Sequence, residues 1–144
     1  MTVSTLTESR GEVFSITEAT TVYEAARYLR EKQVRAVAVC NDQGKVVGVV
    51  SQSDISDKVA AENKCPEWVR ASEIMSRSLV MVSPEKSLEE CLDLMEKHGI
   101  YHLLVVAENN AYRGMISIQD LLKVIAIQNR TRADSLEDYI VGRR

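Results

Sequence analysis

The stretch Gly48-Val49-Val50-Ser51-Gln52-Ser53-Asp54 occurs a second time in this chain, as Gly114-Met115-Ile116-Ser117-Ile118-Gln119-Asp120. Both copies read Gly, two apolar residues, Ser, two variable residues and Asp. The apolar pair is typical of a buried strand, and the Ser can cap a helix that follows. A strand that leads into such a helix start can hold a phosphate and a ribose, or it can be an ordinary capped helix.

The motif recurs because a longer unit is repeated without a gap, at an offset of 66 residues (from 48 to 114). Residues 13–60 and 79–126 share six identities, of which three fall inside the motif. Each unit reads as a strand, a helix, a hairpin and a second helix. A capping box starts the first helix of both units, with Thr21 and Glu24 in one and Ser87 and Glu90 in the other.

Each unit of about 50 residues would bury little apolar surface alone, so we expect the two to pack face to face. The predicted fold class is α+β, a tandem repeat of two strand-helix-hairpin-helix units with small mixed sheets packed about a pseudo-twofold axis. Residues 1–70 form the first unit with its N-terminal segment and connector, 71–130 the second unit, and 131–144 a short C-terminal tail. Residues 1–12 are expected to lie along the surface or to pair loosely, and residues 136–140 to form a short amphipathic turn.

Composition excludes several classes of function. The formal charge of −3 gives no basic footprint, so nucleic acid is not an expected partner. No run approaches the roughly 18 consecutive apolar residues of a membrane helix, and the N-terminus lacks the features of a signal peptide, so no membrane partner is expected. Three widely spaced cysteines argue against a disulfide framework or a zinc site and favour the reducing cytoplasm.

The duplicated unit resembles the CBS domain pair (Bateman module) over roughly residues 10–128. The resemblance implies a regulatory module that binds an adenosine-containing nucleotide (AMP, ADP, ATP, S-adenosylmethionine or NAD) in clefts between the units. It would signal to an unidentified regulated protein or through its own assembly as a homodimer. We expect no enzyme, no metal and no covalent cofactor, since the sequence shows no catalytic Ser/His/Asp set, no P-loop and no paired metal ligands.

In that family the Asp of the motif typically holds the ribose hydroxyls and the Ser contacts phosphate. The resemblance therefore implies ribose contacts at Asp54 and Asp120 and phosphate contacts at Ser51 and Ser117. It also implies an adenine pocket lined by the end of the first strand and by the hairpin strand of each unit: Ile16, Thr17, Val37 and Ala38 in the first, and Val82, Ser83, Leu103 and Leu104 in the second.

A phosphate also needs a cation. His102 stands at the position that corresponds to Ala36, where the family often carries a basic phosphate contact, and Arg35 is the candidate in the first unit. Each has an ordinary alternative, a surface or core histidine and a solvated strand-edge arginine. Because the basic residues differ between the units, we expect unequal sites with the second as the favoured anion site. The alternative for the whole chain is a dimerisation scaffold with vestigial, ligand-free clefts.

Overall fold

The computed structural model describes the backbone of residues 2–8 and 12–141, with side chains as far as residue 131. The helices and strands follow one another in an order that repeats once along the chain. They are α1 (Val3–Glu8), β1 (Ser15–Thr17), α2 (Val22–Lys32), β2 (Ala36–Cys40), β3 (Val46–Ser51), α3 (Gln52–Ile55) with a π-helical turn (Ser56–Ala60), a 3₁₀ turn (Pro66–Trp68), α4 (Ala71–Ile74), β4 (Met81–Val82), α5 (Leu88–His98), β5 (His102–Val106), a 3₁₀ turn (Glu108–Asn110), β6 (Tyr112–Ser117) and α6 (Ile118–Val141).

Each unit contains one three-stranded mixed sheet with the same topology. The first strand runs parallel to the central strand, and the third strand runs antiparallel to it, in the orders β1-β2-β3 and β4-β5-β6. Ala36 lies opposite Ser51 in the first hairpin, and His102 lies opposite Ser117 in the second. Because these pairs differ by the same 66 residues, the sequence repeat is a repeat of structure. The predicted α+β tandem repeat is confirmed.

Local signals set the ends of α2 and α5. The Thr21 hydroxyl accepts a hydrogen bond from the Glu24 N–H at 3.1 Å, and the Glu24 carboxylate accepts one from the Thr21 N–H at 3.3 Å. Ser87 provides the matching hydroxyl cap at the start of α5. The two helices end at Gln33 and Gly99, both in the left-handed conformation that commonly terminates a helix.

The two units exchange short helices, so that each apolar core includes a segment that precedes the other unit. Val3 of α1 is fully buried in the core of the second unit. Ala71 and Ile74 of α4, with Met75, are buried in the core of the first. The expectation that residues 1–12 lie along the surface or pair loosely is therefore wrong for Val3, because its side chain is part of the second core. The boundary at residue 70 stays a prediction, and the hydrophobic packing crosses it.

The glycine of each motif lies against one of these exchanged segments. A Cβ atom at Gly48 would stand 2.4 Å from the Met75 Sδ, so a side chain there would overlap the connector. Gly114 has φ +136°, a conformation that residues with a side chain rarely adopt, and its nearest neighbour on this side is Thr7 of α1. The recurring glycine therefore meets a packing requirement in one unit and a backbone requirement in the other.

The two sheets face each other at their central strands. Val37 and Val39 of β2 belong to the first core, beneath the helices. Ala38 alternates with them, is fully buried and lies outside that core, so it faces away from the helices of its own unit. Leu104 holds the corresponding position on β5 and is 2% exposed. Burial of both residues on the side away from their helices indicates that the sheets pack against each other here.

The last helix is longer than its counterpart in the first unit. α6 runs to Val141, whereas the helix after β3 ends at Ala60. The segment predicted as a separate tail thus begins as a continuation of α6. The predicted amphipathic turn at residues 136–140 involves side chains that lie outside the described residues.

Candidate functional site

A cleft of about 1130 Å³ contains both copies of the motif. We call it the central cleft. Its walls come from the ends of β3 and β6, the starts of α3 and α6, and the central strands. Nine of the residues predicted from the sequence line it: Arg35, Val37, Ser51, Asp54, His102, Leu103, Leu104, Ser117 and Asp120.

The other five predicted residues do not line the cleft. Ile16 and Val82 are buried in the cores beneath the helices, and Ala38 is buried between the sheets. Thr17 is turned toward its own loop, where its N–H donates to the Thr20 hydroxyl at 3.1 Å. Ser83 is exposed just after β4. The cleft lies at the other end of these strands, where Val13 and Phe14 before β1 and Leu79 and Val80 before β4 line it.

Asp54 has a partner on each carboxylate oxygen. Its Oδ2 accepts the Ser51 N–H at 2.9 Å, and the Asp54 N–H donates to the Ser51 hydroxyl at 3.3 Å, which completes a capping box. Its Oδ1 lies 3.1 Å from the Lys58 ammonium. That ammonium also donates to the Ile74 carbonyl at 2.8 Å. Asp54 therefore connects the start of α3 to the connector helix α4.

Asp120 makes the same capping hydrogen bonds as Asp54, but the residue four positions later is not a lysine. The Ser117 N–H donates to its Oδ2 at 2.8 Å, and the Asp120 N–H donates to the Ser117 hydroxyl at 3.2 Å. The residue that corresponds to Lys58 is Val124, which packs on the apolar core. Both copies of the motif are thus working helix caps. A carboxylate has about four acceptor positions, so a cap leaves capacity for a ligand.

Another backbone bond is common to both helix starts. The Gln52 N–H donates to the Arg35 carbonyl at 3.0 Å, and the Ile118 N–H donates to the Tyr101 carbonyl at 2.8 Å. With the capping box, this satisfies three N–H groups at each start. The next residues of these turns, Ser53 and Gln119, line the cleft, and N–H groups at a helix start favour an anion.

His102 lies where charges from the two units meet. Its pKa is lowered from the ordinary value of 6.5, chiefly because burial disfavours the imidazolium. The Asp120 carboxylate acts in the opposite direction, and the Arg35 guanidinium of the first unit lowers the pKa further. The imidazole is therefore mostly neutral at pH 7, in a position where an added phosphate would favour its protonation.

Sequence reasoning missed two cations of the cleft, Arg113 and Lys123. Lys123 follows Asp120 by three residues, a spacing that puts both on one side of a helix and was readable from the sequence. Arg113 precedes the motif glycine, where an exposed strand residue gave no signal. Phe14, Tyr101 and Tyr112 add aromatic surface to the same walls.

The described residues also bear on metal binding, membrane crossing and cysteine reactivity. They contain no group of three or more His, Cys, Asp or Glu side chains placed to hold a metal ion. No helix within them is long and apolar enough to cross a membrane. Their cysteines are free thiols: burial raises the pKa of Cys91 to about 11 and also raises the pKa of Cys40, while Cys65 is exposed.

The CBS domain family matches the chain twice, over residues 3–61 and 71–127. The chain belongs to the CBS-domain family. Members of the family are regulatory modules that typically bind adenosine ligands and generally have no catalytic role. The resemblance seen in the sequence is confirmed, and the two structural repeats are two CBS units.

Similar proteins cover most of this CBS pair, but the pair spans different shares of their own lengths. An uncharacterized protein of Methanopyrus kandleri is 29% identical over 116 residues, which is 81% of this chain. The chain spans only 59% of the length of that relative. A CBS-domain protein from Burkholderia ambifaria superposes with a TM-score of 0.79 at 30% identity, covering 87% of this chain and 93% of that one. A hexameric CBS-CP12 protein from bloom-forming cyanobacteria gives a TM-score of 0.74 at 29% identity, covering 85% and 66%.

Proposed function

We propose that this CBS pair is a regulatory module that binds an adenosine-containing nucleotide in the central cleft. The observation that carries the proposal is the meeting of both motifs and of charges from both units in one opening. Its volume of about 1130 Å³ compares with roughly 300–1,000 Å³ for a typical small-molecule cleft. A nucleotide and its hydration water therefore have room.

The second unit offers the better ribose and phosphate contacts. Asp120 accepts the ribose hydroxyls in this proposal because it lies in the cleft near His102, whereas Asp54 is held by Lys58. Ser117 and a protonated His102 contact phosphate, with Arg35 reaching across from the first unit. Leu104 provides the apolar wall for the adenine, next to Val37 and Leu103, whose side chains belong to the helix-side cores, while Ser51 and Asp54 border the opening.

The charges of the cleft suit a ligand that carries both phosphate and ribose. The cleft is lined by three basic side chains, Arg35, Arg113 and Lys123, and by three carboxylates, Glu12, Asp54 and Asp120. The basic side chains attract the phosphates of AMP, ADP, ATP and NAD, whereas the sulfonium and amino groups of S-adenosylmethionine bring no phosphate to them. We therefore rank the adenine nucleotides and NAD above S-adenosylmethionine.

The signal passes to a regulated protein or through self-assembly as a homodimer. The exchange of α1 and α4 supports such coupling, because the first motif reaches the connector through Lys58 and Gly48, and Gly114 of the second motif lies beside Thr7 of α1. The three thiols of the described residues, with no disulfide among them, support a place in the reducing cytoplasm.

The second candidate function is a dimerisation scaffold whose clefts stay empty. The ion pair between Asp54 and Lys58 favours it, because it gives one motif a purely structural role. The two candidates differ in one measurable property. A ligand that binds only the folded protein must raise its stability, whereas a scaffold has no ligand to respond to.

The test is calorimetric titration of the full chain with AMP, ADP, ATP, NAD and S-adenosylmethionine, repeated as thermal melts. Adenosine serves as the control without phosphate, and GMP as the control with another base. We expect binding and a raised melting temperature for at least one phosphate-bearing adenine ligand. No binding at millimolar concentration and no shift in melting for any of them would reject the proposal and leave the scaffold.

A further inference from the structure

A second cavity continues the central cleft toward the hairpin turns of both units. It has a volume of about 580 Å³ and shares Val13 and Tyr112 with the central cleft. We call it the hairpin pocket. Its other walls come from β1, from the end of β2 and from the two turns: Ser15, Cys40, Gln43, Gly44, Lys45, Asn109, Asn110 and Ala111. The two cavities are therefore neighbours that meet at Tyr112.

The central cleft is long because it follows β6 from the motif to the turn. Ser117 and Tyr112, the last and first residues of this strand, both line it. The six residues of β6 span about 17 Å at a rise of about 3.4 Å per residue. The volume of the central cleft already exceeds the range of a typical small-molecule cleft, and the hairpin pocket adds to it. A ligand that begins at the motif can therefore extend to the hairpin pocket.

Arg113 provides a cation between the two ends of this path. In the second hairpin Gly114 and Tyr112 pair with consecutive residues of β5, so Arg113 is an extra residue in a β-bulge. A bulge changes the direction of a side chain, and Tyr112 and Arg113 both line the central cleft although they are consecutive. The same bulge in the first hairpin carries Val47, which packs on the first core. Only the second bulge thus offers a cation to a ligand that runs along β6.

The hairpin pocket offers neutral hydrogen-bonding groups and one cation. Asn109 and Asn110 have φ of +64° and +59°, the left-handed conformation that asparagine visits more readily than most residues. The turn that they form therefore carries two amides, to which Gln43 adds a third and Lys45 the cation. Each amide both donates and accepts hydrogen bonds. None of the described residues that line the pocket is acidic. These groups suit a polar ring joined to a phosphate better than a triphosphate tail, which a single ammonium would leave largely unneutralised.

We infer that the hairpin pocket is a subsite for the second half of a pyrophosphate-linked dinucleotide, whose adenosine half lies in the central cleft. Arg113 contacts the pyrophosphate between the two halves, and the amides of Asn109 and Asn110 bind the second ring. The inference rests on the proposed function, which it narrows from adenosine ligands in general to a dinucleotide. NAD is the probe for it, since its second ring carries a carboxamide that can both donate and accept hydrogen bonds.

The first test is calorimetric titration of the full chain with NAD and with ADP, which has the same pyrophosphate and no second nucleoside. Asn109→Gly/Asn110→Gly removes both amides and keeps a backbone conformation that glycine adopts readily. We expect this variant to bind NAD roughly tenfold more weakly, from the loss of two hydrogen bonds, and to bind ADP as the wild type does. Glu108→Gln, in the same turn and outside both cavities, is the matched control and should change neither affinity.

The outcomes separate this inference from the proposed function. An unchanged NAD affinity in the glycine variant, an equal loss for NAD and ADP, or binding of ADP without binding of NAD overturns the inference and leaves the proposed function standing. Arg113→Gln should weaken both ligands, because both carry the pyrophosphate. If no adenosine ligand binds the wild type, the proposed function fails and the inference fails with it.

The second test locates the far half of the ligand. Cys40 is a half-buried thiol in the wall of the hairpin pocket, whereas Cys91 is buried and Cys65 is exposed. In a Cys65→Ser chain, the rate at which a maleimide labels Cys40 is measured with NAD and with ADP at equal saturation of the protein. We expect NAD to slow the labelling and ADP to leave it nearly unchanged. Equal protection by the two ligands, or no protection by NAD, would contradict the inference.

Discussion

Asp54 and Asp120 have the same backbone cap and different surroundings. Each carboxylate accepts the N–H of the serine three residues earlier, at 2.9 and 2.8 Å. Asp54 is in addition paired with Lys58, which binds the connector through Ile74, while Asp120 has Val124 at that place. The carboxylate of the first motif is thus tied to the connector by an ion pair, whereas the carboxylate of the second motif lies near the half-buried His102. The lesson is that a motif repeated in sequence need not repeat its surroundings.

Substitution of the two motif glycines should have the largest effect on the free energy of unfolding. Gly48→Ala should lower the free energy of unfolding by about 1–3 kcal/mol, because the new methyl group overlaps the Met75 side chain. Gly114→Ala should cost a similar amount for another reason, the strained φ of +136°. Denaturant unfolding of both variants measures this.

A second substitution in each variant distinguishes a steric overlap from backbone strain as the cause of the lost stability. Met75→Ala should be less damaging in the Gly48→Ala background than in the wild type, since it makes room for the methyl group. Thr7→Ala should show no such coupling with Gly114→Ala, because the Thr7 Cγ2 would lie 3.7 Å from the added Cβ atom, an ordinary contact. Strict additivity for the Gly48 pair would contradict the packing explanation.

Exchanging Lys58 and Val124 between the units should exchange the nucleotide affinities of the two motifs. Val124→Lys places an ammonium one helical turn from Asp120, and we expect nucleotide affinity to fall by about tenfold as it competes for the carboxylate. Val124→Gln is the uncharged control. Calorimetry of the two variants checks the charge effect, and equal affinities would speak against it.

The reciprocal change, Lys58→Val, removes the ammonium from Asp54 and should strengthen binding at the first unit or add a second equivalent of ligand. Lys64→Val, which removes a lysine that lies just after the helical turn of Lys58 and is paired with Glu62, is the matched control. A stoichiometry and an affinity unchanged by Lys58→Val would mean that the lysine does not decide between the two motifs.

The smallest expected effect is a dependence on pH through His102. Its pKa in the folded protein is lowered below 6.5, so below that value the unfolded chain binds more protons than the folded one. Stability should therefore fall as the pH drops through 6.5, and His102→Gln should lose this part of the dependence. Thermal melts across this range test it. Identical pH profiles for the variant and the wild type would show that the imidazole does not titrate as described.

Binding should show the opposite dependence. A bound phosphate favours the imidazolium, so nucleotide affinity should rise as the pH falls toward and below 6.5, as far as the protein stays folded. In His102→Gln that rise should be reduced. Affinity that falls with pH in the wild type would argue against a phosphate next to this side chain.

The sequence predicted most of the fold because its signals are local. The capping boxes at Thr21 and Ser87, the hairpins and the motif all act over a few residues, and the repeat confirmed each against its counterpart. The docking of α1 onto the second unit could not be predicted, because Val3 is a single apolar residue whose buried core partners begin at Val82, much further along the chain. The predicted second unit ends at residue 130, whereas α6 continues to Val141. No glycine or proline between these residues ends the helix.

The site was partly predictable. The Asp, Ser and His positions follow from the repeat and lie in the cleft. Ile16 and Val82 were assigned to the adenine pocket by resemblance. Because successive side chains of a strand point to opposite faces of the sheet, these two point into the helix-side cores instead. The pairing of Asp54 with Lys58 was readable from a spacing of four residues. Arg113 needed the structure, because only the fold brings its strand to the opening.

The most direct test of the account compares Asp120→Asn with Asp54→Asn in a calorimetric titration with the nucleotide that binds the wild type best. The amide can still accept the capping hydrogen bond, so both variants should fold, as a melting curve verifies. We predict that Asp120→Asn weakens binding by about 1.5–3 kcal/mol, the range for hydrogen bonds to a charged group, while Asp54→Asn has a much smaller effect. Equal losses in the two variants, or a larger loss in Asp54→Asn, would contradict the division of roles between the motifs.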